Sequence, residues 1–148
     1  MTKEALIKLF ERDLSKLSQE IASYTNEPDL WKVEDNIANS AGNLCLHLVG
    51  NLKHFVGMTL GNIPYERQRD KEFSDKNVPQ QQLLQYINET KAAVLSTIEK
   101  LDDAMLSALY PTEVFGYAMS AEFFLIHLYG HLSYHLGQVN YHRRLLNK

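Results

Sequence analysis

Residues 121–146 read AEFFLIHLYGHLSYHLGQVNYHRRLL. Apolar residues recur through this stretch at helical spacing. Ser120, just before it, is a suitable capping side chain, and Glu122 suits the positive end of a helix dipole. Arg143, Arg144 and Lys148 place the favoured sign at the other end. The stretch therefore reads as one long helix from about Ala121 to Leu146. It also carries His127, His131, His135 and His142, four of the chain's six histidines.

The same periodicity extends outward from this helix. Leu6, Phe10, Leu14, Leu17 and Ile21 form an N-terminal stripe with Lys and Glu between them, and the pattern stops around Glu27 and Pro28. Residues 29–34 (DLWKVE) form a connector, with Trp31 docked onto the bundle. A second helix is expected to start near Asp35 or Asn36, run through Leu44, Leu48, Leu52 and Phe55, and end at Gly57, Gly61 and Pro64. A third stripe follows Pro79, through Leu83, Ile87, Val94, Ile98, Leu101 and Met105, before Pro111 and Gly116 break it. Between the second and third helices lie residues 62–78 (NIPYERQRDKEFSDKNV), charged and aperiodic. Fully extended, such a segment reaches ~50 Å, more than the length of a bundle. The helices it joins therefore need not be antiparallel neighbours. Four amphipathic helices with no strand signal predict an all-α four-helix bundle, with a long crossover connection between helices 2 and 3. One domain spanning 1–148 is expected, with no internal repeat.

Bulk properties narrow the function. The formal charge is -3 with histidine neutral, which argues against a nucleic-acid binder. Cys45 is the single cysteine, so no intrachain disulfide can form and a cytoplasmic location is the expectation. Charges interrupt MTKEALIKLFERDL every few residues, so no secretory leader is read there. No stretch approaches the ~20 apolar residues of a membrane span.

The remaining histidines, His47 and His54, lie on the second helix, and the first and third helices have none. His131 and His135 are spaced i, i+4, which places both rings on one helical face, able to share a metal ion. A third imidazole from a facing helix would complete an open three-histidine site. His47 and His54 are separated by about 10.5 Å along the axis, too far for both to join the pair. His47, among apolar neighbours in LCLHLVGNL and one turn before Gly50, is preferred, with His54 in reserve. His127 and His131 form an equally spaced alternative pair, and spacing alone does not choose between them. Gln138 and Asn51 could orient ligands from behind. Tyr129 and Tyr134 could donate hydrogen bonds near the site, although packing is the simpler role for each. Cys45 is two residues from His47 and reads as an inert buried thiol. The run ERQRDKEF reads as a solvated loop with surface ion pairs. Core histidines without metal are the competing reading, since HxxxH spacing is common and no HExxH, CxxC or Walker-type motif accompanies it.

The segment NSAGNLCLHLVGNLKHF (39–55) resembles the histidine-bearing helix of the DinB-like (YfiT-like) superfamily, closest to a branch of unknown function with an N-S…H-L-x-G-N pattern. ERQRDKEF (66–73) resembles that branch's arginine- and aspartate-rich loop. HLSYHLGQVNYHRRLL (131–146) resembles the superfamily's final helix, H-x-x-x-H-x-G-Q. The resemblance implies a metal held by His47, His131 and His135. It also implies a homodimer and, from characterised relatives, an enzyme acting on a low-molecular-weight thiol and an electrophilic substrate, as an S-transferase. No thiol-recognition motif is identified here. Three imidazoles suit zinc, nickel, copper or iron, with zinc or nickel the first expectation. A hydrolase using metal-activated water is equally coherent, and a non-catalytic, stress-related helical protein is the alternative. No nucleic-acid or membrane partner is expected.

Overall fold

The computed structural model describes residues 2–146. Its helices are α1 (Thr2–Ala22), α2 (Ala41–Leu52), α3 (Arg69–Ser74), α4 (Gln80–Glu99), α5 (Asp103–Ser107) and α6 (Ala121–Leu146). A 3-10 turn, Glu27–Trp31, precedes α2, and a π-helical segment, Lys53–Met58, continues it. There is no strand among the described residues, only an isolated bridge between Leu109 and Ser120. Among the described residues, no helix is long and apolar enough to cross a membrane.

The apolar stripes explain the packing. Leu6, Phe10, Leu14, Leu17 and Ile21 of α1 are all buried, as are Leu83, Ile87, Val94 and Ile98 of α4. Leu44, Leu48 and Leu52 of α2 and Leu125, Leu128 and Leu132 of α6 complete the core. Side-chain pairs along the helices fix their directions. Lys3 donates to the Glu99 carbonyl, and Gln80 donates to the carbonyls of Ile21 and Tyr24, so α1 and α4 are antiparallel. His47 meets His131 and Phe55 meets Phe124, so α2 and α6 are antiparallel. Lys53 pairs with Glu89, while Gly57 faces Ala93 and Gly61 faces Thr97, so α2 and its continuation run parallel to α4. The result is a four-helix bundle with up-down-down-up topology.

Parallel neighbours require the chain to return the full length of α2, and the crossover does this. Asn43, in the first turn of α2, donates its side-chain amide to the carbonyls of Glu72 and Asp75 at 2.9 and 2.8 Å. The returning segment is not the wholly aperiodic, solvated loop that its composition suggests. It contains α3, and Glu72 on that helix is buried.

Three other expectations shift. Helix 2 starts later than Asp35 or Asn36: Ser40 is the cap, its hydroxyl accepting the Asn43 backbone N–H. Asp35 instead occupies the left-handed region, at φ 38, and belongs to a turn. The third stripe ends before Met105, which is exposed on α5. Asp102 accepts the Met105 N–H at 2.8 Å and so starts a separate helix. Ser120 does cap α6, its hydroxyl accepting the Phe123 N–H at 3.0 Å. Trp31 does dock on the bundle, its ring lying where a side chain at Gly42 would project.

His142 ties the 23–40 connection to α6. Its Nε2 donates to the Lys32 carbonyl at 2.7 Å, which leaves Nδ1 to accept from the Tyr24 hydroxyl at 2.6 Å. Burial raises the Tyr24 phenol above its ordinary range, keeping it a donor. Tyr24→Phe strands the buried Nδ1. It is expected to lower unfolding free energy by about 1–3 kcal/mol in urea titration, with an unchanged m value. An unchanged midpoint would mean that water replaces the hydroxyl.

Candidate metal centre

α2 and α6 run antiparallel with His47 opposite His131 and one turn from His135. His47 is buried, and the two α6 histidines are half-buried. One ring nitrogen from each lies within 4.8 Å of the other two. The Nε2 atoms of His47 and His131 are 3.1 Å apart. Donor nitrogens around one small divalent ion sit about 3.3 Å apart, given metal–nitrogen bonds of ~2.0–2.1 Å. The three side chains therefore fit such an ion in both spacing and donor type.

The protonation states also fit. Glu72 Oε1 lies 3.0 Å from His47 Nδ1. A carboxylate only accepts, so Nδ1 carries the proton and Nε2 presents a lone pair to the centre. Gln138 Oε1 lies 2.7 Å from His135 Nδ1 and has the same effect there. Burial pushes His131 down to about 4, with the adjacent His135 and His47 adding to the effect. Burial also lowers His135. Neutral imidazoles are the ligating form.

Glu72 is the residue that sequence reasoning missed. Burial alone would raise its carboxyl, but the hydrogen bonds from His47 and Arg67 and the Arg67 charge outweigh burial and hold it below its ordinary range. Arg67 donates twice, to Oε2 at 2.9 Å and to Oε1 at 3.0 Å. Gly50 makes the approach possible: a Cβ there would sit 1.9 Å from Glu72 Oε2. The absent side chain of Gly50 was the available signal. It showed that something comes close, without showing which residue.

The other sequence candidates fall elsewhere. His54 is half-buried in the π-helical segment, against Phe55, with Nδ1 unpartnered among the described residues. His127 stacks on Phe124 and meets Phe115. Neither joins the cluster formed by His47, His131 and His135. Tyr129 donates to Asp13 on α1, so its hydroxyl serves the α1–α6 contact. Tyr134 packs against His135. Asn51 is buried with its side-chain oxygen unpartnered among the described residues, and it supports no ligand. Cys45 is fully buried and pushed up to about 12 by burial, as an inert thiol should be.

The all-helical bundle with a crossover is a fold shared with a DinB-like protein. A solved structure of a DinB-like protein from Bacillus cereus ATCC 10987 superposes with a TM-score of 0.73, at 17% identity, covering 96% of this chain and 91% of that one. The chain belongs to the family described as "Protein of unknown function (DUF1572)", whose model matches residues 3–148. No curated protein is significantly similar to it.

Two expectations follow for the metal-free protein. Glu72→Gln leaves the Arg67 charge without its partner and is expected to cost about 3 kcal/mol of stability, read by urea titration. Retained stability would show the ion pair to be dispensable. For pH, the unfolded chain takes up the His131 proton near 6.5, whereas the folded chain resists it until about 4. Protons therefore favour unfolding. The His131 contribution is complete above 6.5 and is lost as pH falls toward 4. His131→Leu is expected to flatten this part of the stability–pH profile. An unchanged profile would contradict the assignment.

Proposed function

We propose that this protein holds a divalent metal ion, zinc or nickel first, on His47, His131 and His135, and uses it in catalysis on a low-molecular-weight thiol and an electrophile, or on water. The convergence of three ring nitrogens within 4.8 Å carries this reading. Bound there, the ion would act as a Lewis acid that lowers the pKa of a coordinated thiol or water.

The chain's own groups limit what else can take part. Glu72 is committed to His47 and Arg67, so it is no free general base. Cys45 is buried and protonated, so a reacting thiol has to arrive from solution. His47 and His135 are each anchored from behind, which fixes the tautomer needed at the centre. A catalytic rather than structural role is favoured by the core. Phe10, Leu14, Leu17, Leu48, Ile87 and Leu125 close it without help from the triad.

Elemental analysis of untagged protein after reconstitution with zinc or nickel tests the reading. Near-stoichiometric metal is expected in the wild type and none in His131→Ala, with helicity by circular dichroism the same in both. Glu72→Gln is expected to bind with affinity reduced about 10–100-fold. Absence of metal from the reconstituted wild type would end this reading. Unfolding on chelation would assign the ion a structural role.

A further inference from the structure

Two cavities flank the triad, and they differ in charge. One, of about 250 Å³, lies beneath the crossover; Lys53, Glu66, Lys71, Glu72 and Asp75 line it, and none of the three histidines does. The other, of about 500 Å³, lies between residues 36–39, the start of α2 and the C-terminal half of α6, and His135 and Gln138 are in its wall. Its volume is in the range of small-molecule sites.

The composition of the second wall is selective. Ile37, Leu44, Tyr134, Tyr141 and Leu145 supply its apolar part. All of these except Leu44 are exposed, Tyr134 and Tyr141 to 66% and 67%. Among the described residues, no Lys, Arg, Asp or Glu lines it. The polar groups are the amides of Asn36, Asn39 and Gln138, the hydroxyls of Tyr134 and Tyr141, and the imidazoles of His135 and His142. His142 has both nitrogens engaged, by Tyr24 and Lys32, so it offers a ligand no free polar atom. A charged ligand would lose hydration against this wall and find no countercharge within it; Arg144, whose guanidinium lies 5.6 Å from the Tyr141 ring centroid, stands outside the lining. An uncharged one could bury apolar surface on the tyrosines and leucines and hydrogen-bond to the amides.

We propose that this cavity binds an uncharged, largely apolar or aromatic small molecule, whose reactive end is presented to the triad across the His135–Gln138 pair. The inference rests on the catalytic reading above and gives the electrophile its chemical class. It also orients the reaction: the apolar body lies along the C-terminal half of α6. The triad side is left for the thiol or water.

A matched pair of fluorescent probes tests it: neutral N-phenyl-1-naphthylamine and its anionic relative 1-anilinonaphthalene-8-sulfonate, titrated into the full chain with and without zinc. The neutral probe is expected to bind saturably, with affinity about ten-fold above that of the sulfonate. Leu145→Glu and Ile37→Glu, both at exposed positions, are each expected to weaken it about ten-fold. Phe123→Glu, on α6 but outside the cavity, should leave affinity unchanged. Equal affinity for both probes, or equal loss in Phe123→Glu, would overturn the proposal. So would a Leu145→Glu variant that splits a dimer in sedimentation while probe affinity holds, because the residue would then belong to a subunit contact. Zinc content is measured separately on each variant. Zinc binding without selective probe binding overturns only the cavity assignment. Selective probe binding without zinc overturns only the metal-dependent function.

Discussion

A carboxylate buried to 6% exposure, as Glu72 is, needs both charge and hydrogen-bond compensation. His47 and Arg67 supply it. Together with the Asn43 amide on the Glu72 and Asp75 carbonyls, that contact ties the crossover to α2. The crossover has to return along α2 because α2 and α4 are parallel neighbours. Glu72 is where the returning chain is bound down, over the gap left by Gly50. The same carboxylate sets the proton on His47 Nδ1 and turns Nε2 toward His131 and His135. Topology and site chemistry therefore meet at Glu72. The loop that makes the fold possible is also the loop that prepares the first ligand.

The three histidines are supported unequally. His47 is anchored by a charged acceptor, and His135 by the neutral oxygen of Gln138. His131 Nδ1 is buried with no partner among the described residues. Its ring is placed by packing between its neighbours, with His47 and His135 edge-on at centroid distances of 5.0 and 4.5 Å. Burial, with the adjacent His135 and His47 adding to it, is why His131 resists protonation. The member with no partner behind it is thus kept neutral by burial.

Much of this was legible in sequence, for identifiable reasons. Helical periodicity located the four long helices, because buried stripes such as Leu6 through Ile21 report packing directly. The i, i+4 spacing placed His131 and His135 together, and Gln138, three residues after His135, was in reach by the same geometry. His47 was open against His54 on spacing, and the family resemblance favoured it. Glu72 was not legible. It sits in a charged, aperiodic run, and nothing local distinguishes a carboxylate that will be buried from one that stays solvated. That difference is made by Gly50, Arg67 and His47 meeting in three dimensions. The Tyr24–His142 contact was hidden for the same reason, being 118 positions apart. Helix starts slipped where several polar residues competed as caps, as Asp35, Asn36 and Ser40 did.

The central claim is that three imidazoles, two of them oriented from behind, form one open divalent-metal site. X-ray absorption at the metal edge of the zinc- or nickel-reconstituted protein addresses the ligand set itself. The expected spectrum shows about three imidazole nitrogens near 2.0–2.1 Å, with characteristic ring scattering, and one or two lighter oxygen neighbours. A sulfur neighbour, or ring scattering from fewer than two imidazoles, would contradict it.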